Sequence, residues 1–126
     1  MRRLAVPFTL LLCLAGCGGG DDGEPSRTVT VNPNSTLRVT ADEYSFGPGE
    51  VVVRGAGART IRLRNSGELA HNLRVKQAGE DIGGTPTFGG GQTEVGRVNL
   101  EHGRYEMICT VGDHAELGMT GELEVK

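Results

Sequence analysis

The stretch Tyr105-Glu-Met-Ile-Cys109-Thr-Val-Gly-Asp-His114-Ala-Glu-Leu-Gly-Met119 carries one cysteine, one histidine and one methionine at the spacing Cys109-x4-His114-x4-Met119. Before its turn, Tyr105, Met107 and Cys109 share one face of a strand. After it, Met119, Gly121, Leu123 and Val125 alternate with Thr120, Glu122, Glu124 and Lys126. Period-two alternation of this kind belongs to half-buried β-strands. Parity therefore puts Cys109 and Met119 on the inward set of two strands, at the ends that face the Thr110–Gly118 turn. A second histidine, His71, stands well upstream, is followed by Asn72, and shares an inward face with Leu73 and Val75.

These residue types suit one chemistry. A thiolate is soft and donates strongly, imidazoles serve both Cu(I) and Cu(II), and a distant thioether favours Cu(I) without enforcing a four-coordinate geometry. His71, Cys109, His114 and an axial Met119 thus read as the ligands of one type 1 copper ion. Each residue alone has a plainer explanation. A lone methionine at a strand start is usually core, as Met107 is expected to be. An isolated cysteine is usually an inert core residue, and a lone histidine is usually hydrogen-bonded. The joint occurrence of the four types, inward wherever a strand sets the parity, decides for the metal. His102 sits beside Gly103 in a turn with no partner at ligand spacing, and reads as a surface residue.

Working outward, residues 28–126 alternate apolar and polar residues in short runs. Turn chemistry punctuates them at Asn32-Pro33-Asn34-Ser35, Gly47-Pro48-Gly49, Gly55-Ala56-Gly57 and Asn65-Ser66-Gly67. Residues 77–92 break the alternation and are expected to form a long loop with at most one short helical turn. The pattern predicts seven or eight short antiparallel strands in an all-β, two-sheet Greek-key sandwich. With two tyrosines, three phenylalanines and no tryptophan, the core must be mostly Val, Leu and Ile.

The first residues differ in kind. Met1-Arg2-Arg3 precedes an apolar run from Leu4 to Ala15, too short to span a bilayer stably and laid out like a secretory signal. It ends in Leu14-Ala15-Gly16-Cys17, which resembles the bacterial lipobox. That resemblance implies a signal peptide over 1–16 and a diacylglycerol on Cys17. Residues 17–27, rich in Gly, Asp, Glu, Pro and Ser, then read as a flexible tether. The expected location is extracytoplasmic and membrane-anchored. Cys13 falls in the leader and Cys17 closes it, so Cys109 is left without a disulfide partner in the domain.

The stretch from Tyr105 onward, with the His71-Asn72 pair, resembles the cupredoxins, and its loop spacing is nearest to the auracyanins and rusticyanins. The resemblance implies a cupredoxin-like copper-binding domain over 28–126, with the four ligands named above. It implies supporting roles for Asn72, which ties the ligand loop to the upstream strand, and for Thr110, which receives it. Gly112-Asp113 stands where many relatives have a proline. If Asp113 lies near the metal it favours Cu(II); if it points to water it does little.

By the same resemblance the electron passes through the exposed edge of His114. A redox protein of cytochrome or oxidase type would dock there on an apolar collar drawn from Leu69, Val111, Ala115 and Leu117. An enzyme is disfavoured: Ile108 and Thr110, not histidines, flank Cys109, and the chain has three histidines in all. Copper delivery or storage is the alternative function. The formal charge is −3; without Arg2 and Arg3 it is −5, from 11 basic and 16 acidic residues. That balance argues against a nucleic-acid partner.

Overall fold

A computed structural model describes residues 28–126. The expected leader, the lipidation site Cys17 and the tether lie outside the described residues. Ten strands follow one another: β1 (Thr28–Val31), β2 (Leu37–Asp42), β3 (Ser45–Gly47), β4 (Glu50–Val53), β5 (Gly57–Asn65), β6 (Arg74–Gln77), β7 (Glu80–Gly84), β8 (Thr93–Leu100), β9 (Gly103–Ile108) and β10 (Thr120–Val125). The all-β expectation holds, with ten strands among the described residues where the pattern predicts seven or eight.

The strands hydrogen-bond in the order β1-β4-β10-β9-β6-β7-β8-β5-β2-β3. The sheet curls until β3 packs against β10. Two arms then face each other across one core. Val51, Val53, Met107 and Leu123 come from one arm, and Val39, Ile61, Leu63 and Val98 from the other. Alternation is clean where one face is buried: Leu37, Val39 and Ala41 point in along β2 while Arg38, Thr40 and Asp42 point out.

The strands are not all antiparallel, as had been expected. β1 with β4, β10 with β4, and β2 with β5 pair in parallel. The correction has a simple cause. Alternation reports which face a residue occupies, and a parallel strand with one solvated face alternates just as an antiparallel one does.

Residues 77–92 are not one long loop either. They contain β7, which pairs with β6 on one side and with β8 on the other. β7 joins the two arms, and its composition explains why it carries no apolar signature. A Cβ on Gly84 would collide with the carbonyl oxygen of Leu73, and one on Gly96 in β8 would collide with the carbonyl of Gly84. Three backbones approach so closely here that only glycine fits. Gly84 also has φ +139, a region that side chains disfavour.

Register fixes where the ends of the strands meet. β9 is antiparallel to both β10 and β6, with Ile108 opposite Thr120 and Arg74. The residue after β9 and the residues before β10 and β6 therefore gather at one pole. β2 and β5 run parallel, with Ala41 opposite Asn65, so their C-terminal ends lie together as well. At the β8–β9 connection the Tyr105 hydroxyl donates to the Glu101 carbonyl at 3.0 Å and accepts from the Glu101 N–H at 2.9 Å, closing that turn.

Candidate metal centre

Cys109 directly follows β9, Met119 directly precedes β10, and His71 stands three residues before β6. Strand polarity thus brings all three to the same pole. His71 is held there by an isolated bridge: its N–H donates to the Phe88 carbonyl at 3.1 Å, and the Phe88 N–H donates to the His71 carbonyl at 3.0 Å.

His71, Cys109 and His114 are all buried, with candidate ligand atoms within 4.8 Å of one another. Cys109 Sγ lies 4.0 Å from His71 Nδ1 and 3.6 Å from His114 Nδ1. The ring centroids of the two histidines are 5.0 Å apart. A first-row ion bound about 2.0 Å from nitrogen and about 2.3 Å from a thiolate spaces such atoms by roughly 3.5–3.8 Å. The 3.6 Å separation falls in that range and the 4.0 Å one lies slightly beyond it, close enough for both imidazoles to share an ion with the sulfur, and a His2Cys donor set is that of a type 1 copper centre. The cluster therefore fits one type 1 copper ion. It is the one such group of three or more potential ligands among the described residues.

Met119 is fully buried and joined to both loop ligands through the backbone. Its N–H donates to the His114 carbonyl at 3.0 Å, and its carbonyl accepts the Cys109 N–H at 3.1 Å. The intervening turn is closed by further backbone bonds. His114 N–H donates to the Val111 carbonyl at 3.0 Å, Leu117 N–H to the Asp113 carbonyl at 3.1 Å, and Gly118 N–H to the Ala115 carbonyl at 3.1 Å. Gly112, at φ +47, makes the tight entry possible. The turn is thus cross-tied without a proline. Asp113 itself is exposed.

Asn72 bridges the upstream segment to the ligand loop. Its amide donates to Thr110 Oγ1 at 2.7 Å and to Thr87 Oγ1 at 2.9 Å, while its carbonyl oxygen accepts the Thr110 N–H at 2.9 Å. The contact between Asn72 and Thr110 is the one that the sequence suggests.

Three neighbours of the site carry no such sequence signal. Glu43 Oε1 lies 3.3 Å from His71 Nε2 and accepts the N–H groups of Glu68 and Leu69, each at 2.8 Å. The Leu69 N–H above all, then the Glu68 N–H, His71 and Asp42, draw the Glu43 carboxyl down to about 2 against the opposing loss of water. Asn65, fully buried, donates to the carbonyls of Leu69 and Phe88 and accepts the Gly67 N–H. Tyr44 stacks edge-on against His114 with centroids 5.1 Å apart. Glu43 and Tyr44 sit in the β2–β3 turn, far from any ligand in sequence. Only the break in alternation after Asp42 marked the spot.

His71 is fully enclosed, whereas His114 keeps 7% of its surface exposed. Leu69 and Leu117, each close to a candidate ligand in sequence, are large exposed apolar residues, at 43% and 52%, and Val111 and Ala115 are partly buried. His102 lies exposed in the β8–β9 turn, as its sequence context predicts.

No family model and no curated protein matches the sequence. Solved structures do match its shape. Dithionite-reduced auracyanin from Roseiflexus castenholzii aligns with a TM-score of 0.66 at 20% identity, covering 74% of this chain and 98% of that one. An azurin (Az-iso2) from Methylomonas sp. strain J aligns at 0.62 and 17%, covering 72% and 97%. A copper-containing nitrite reductase from Thermus scotoductus SA-01 aligns at 0.57 and 20%, covering 79% of this chain but only 28% of the reductase. The fold is that of the cupredoxins.

Proposed function

We propose that this chain is a type 1 copper protein that carries single electrons between membrane-associated or periplasmic redox partners and is not itself an enzyme. The observation that carries the proposal is the buried trio in which both imidazole Nδ1 atoms face one cysteine sulfur. Bound copper would supply a one-electron couple between Cu(II) and Cu(I). The protein's part is to hold His71, Cys109 and His114 so that little has to move when the charge changes. Met119 is the proposed axial thioether, supported by its full burial and its backbone ties to Cys109 and His114.

His114 is the proposed electron port, since it is the one imidazole of the trio that reaches the surface. The exposed apolar residues near the ligands in sequence, Leu69 and Leu117 foremost, form the proposed docking face for a cytochrome- or oxidase-type partner. A diacylglycerol on Cys17 would hold the domain at a membrane while the tether lets it reach its partners. An electron carrier is favoured over an enzyme with a further metal because Ile108 and Thr110, not histidines that could relay electrons to a second centre, flank Cys109. Copper delivery is the competing role, and the full enclosure of His71, Cys109 and Met119, each at 0% exposure, favours retention over exchange.

The test is a titration with Cu(II) followed by visible and electron-spin-resonance spectra. An intense thiolate-to-copper band is expected, lost in Cys109→Ser. In Leu117→Lys the band should persist while reduction by a partner protein slows. A colourless protein would end the copper reading, and unchanged kinetics in Leu117→Lys would remove the docking face.

A further inference from the structure

The two nitrogens of His71 face different groups. Nδ1 looks into the cluster toward Cys109 Sγ, and Nε2 lies 3.3 Å from Glu43 Oε1. An imidazole that keeps its proton on Nε2 presents a bare Nδ1 lone pair to a metal, and a carboxylate acceptor on Nε2 enforces that tautomer and makes the ligand more basic.

The arrangement around Glu43 is built rather than incidental. The same Oε1 accepts the N–H groups of Glu68 and Leu69, so two backbone donors fix it within hydrogen-bonding distance of His71 Nε2. Gly67 leaves the space the carboxylate fills, because a Cβ there would run into Glu43 Oε1, Cδ and Oε2. The grip also links two parts of the site: Leu69, an exposed apolar residue beside the centre, and His71, a fully buried ligand, hang on one oxygen.

We propose that Glu43 is a positioning residue for the metal centre: its carboxylate accepts the His71 Nε2–H, holds the ring with Nδ1 toward Cys109, and by its charge favours the oxidised ion. The proposal rests on the type 1 copper reading for its redox consequence, but not for its tautomer. Glu43 acts through His71 and touches no metal. Removing its charge weakens the donor and shifts the reduction potential upward.

The experiment uses the full-length protein and the variants Glu43→Gln, Glu43→Ala and Gly67→Ala. Two properties are read in each: the nitrogen-15 signals of the His71 ring in the metal-free and zinc-loaded forms, and the reduction potential of the copper form. The wild type should show a protonated Nε2 with slowed proton exchange. Glu43→Ala should lose the slow exchange and raise the potential. Glu43→Gln keeps an acceptor, so it should retain the protected Nε2–H while still raising the potential. Gly67→Ala leaves Glu43 chemically intact but displaces it, and should follow Glu43→Ala; it keeps the question open to test if Glu43→Ala fails to fold.

A folded Glu43→Ala or Gly67→Ala protein with His71 exchange and potential unchanged would overturn the proposal. If the wild type takes up no copper, the functional reading fails, and the ring signals in the zinc and metal-free forms still decide the role of Glu43.

Discussion

Asn72 shows how much one residue supports at this site. It is 5% exposed and makes three hydrogen bonds, two of them to Thr110, the residue next to Cys109. Replacing it with alanine leaves the Thr110 N–H without its acceptor and frees the start of the ligand turn. The loss of a hydrogen-bonded partner inside a protein costs about 1–3 kcal/mol. Urea denaturation of metal-free Asn72→Ala should show a stability loss of that order, with the ligand set still able to bind. The four candidate ligands were named from residue type and spacing, to which their chemistry is tied, and Asn72 from the resemblance to the cupredoxins. Glu43, Asn65 and Tyr44 were not. Each works through a contact made only when the β2–β3 turn, the end of β5 and the His71 segment are folded together, and no local pattern encodes such a meeting.

Among the elements, β6 and β7 depend on a clasp as well as on their ladder. Arg74 donates to Asp81 from Nε at 2.9 Å and from NH2 at 2.8 Å, a two-pronged pairing. Arg74 first, and then the Gly83 N–H, hold the Asp81 carboxyl below its usual range, in spite of some lost hydration. A carboxyl lowered on folding adds stability above its unfolded value of 3.8 and loses it as the pH falls through the folded value. Asp81→Asn should therefore be less stable than the wild type at about pH 6, and the gap should shrink as the pH falls below 3.8 and through the lower folded value. Urea midpoints for both proteins across that range test the sign. Asp81 is exposed and Arg74 only half-buried, so solvent screening keeps the effect small.

The same region marks the limit of the strand pattern. β2, β9 and β10 announce themselves by alternation because one face is buried. β7 ends in Gly83 and Gly84, packed against neighbouring backbones, and Ile82 is its one apolar side chain, which is too few to show alternation. Strand direction was equally invisible, since parity is blind to it.

At the scale of the molecule, the curled sheet does one thing for the site: it turns strand polarity into convergence. The end of β9 and the starts of β6 and β10 meet at one pole. The turn after β2 reaches in from the opposing arm to place Glu43 against His71 and Tyr44 against His114. The core, shared by both arms, buries the sulfur and one imidazole completely and leaves an edge of the other at the surface. The central claim is that a single copper ion sits among His71 Nδ1, His114 Nδ1 and Cys109 Sγ. Anomalous diffraction from copper-loaded crystals, recorded on either side of the copper absorption edge, tests it most directly. The account predicts one copper peak bonded to those three atoms; a peak elsewhere, or one that leaves His71 outside its bonding distance, would contradict it.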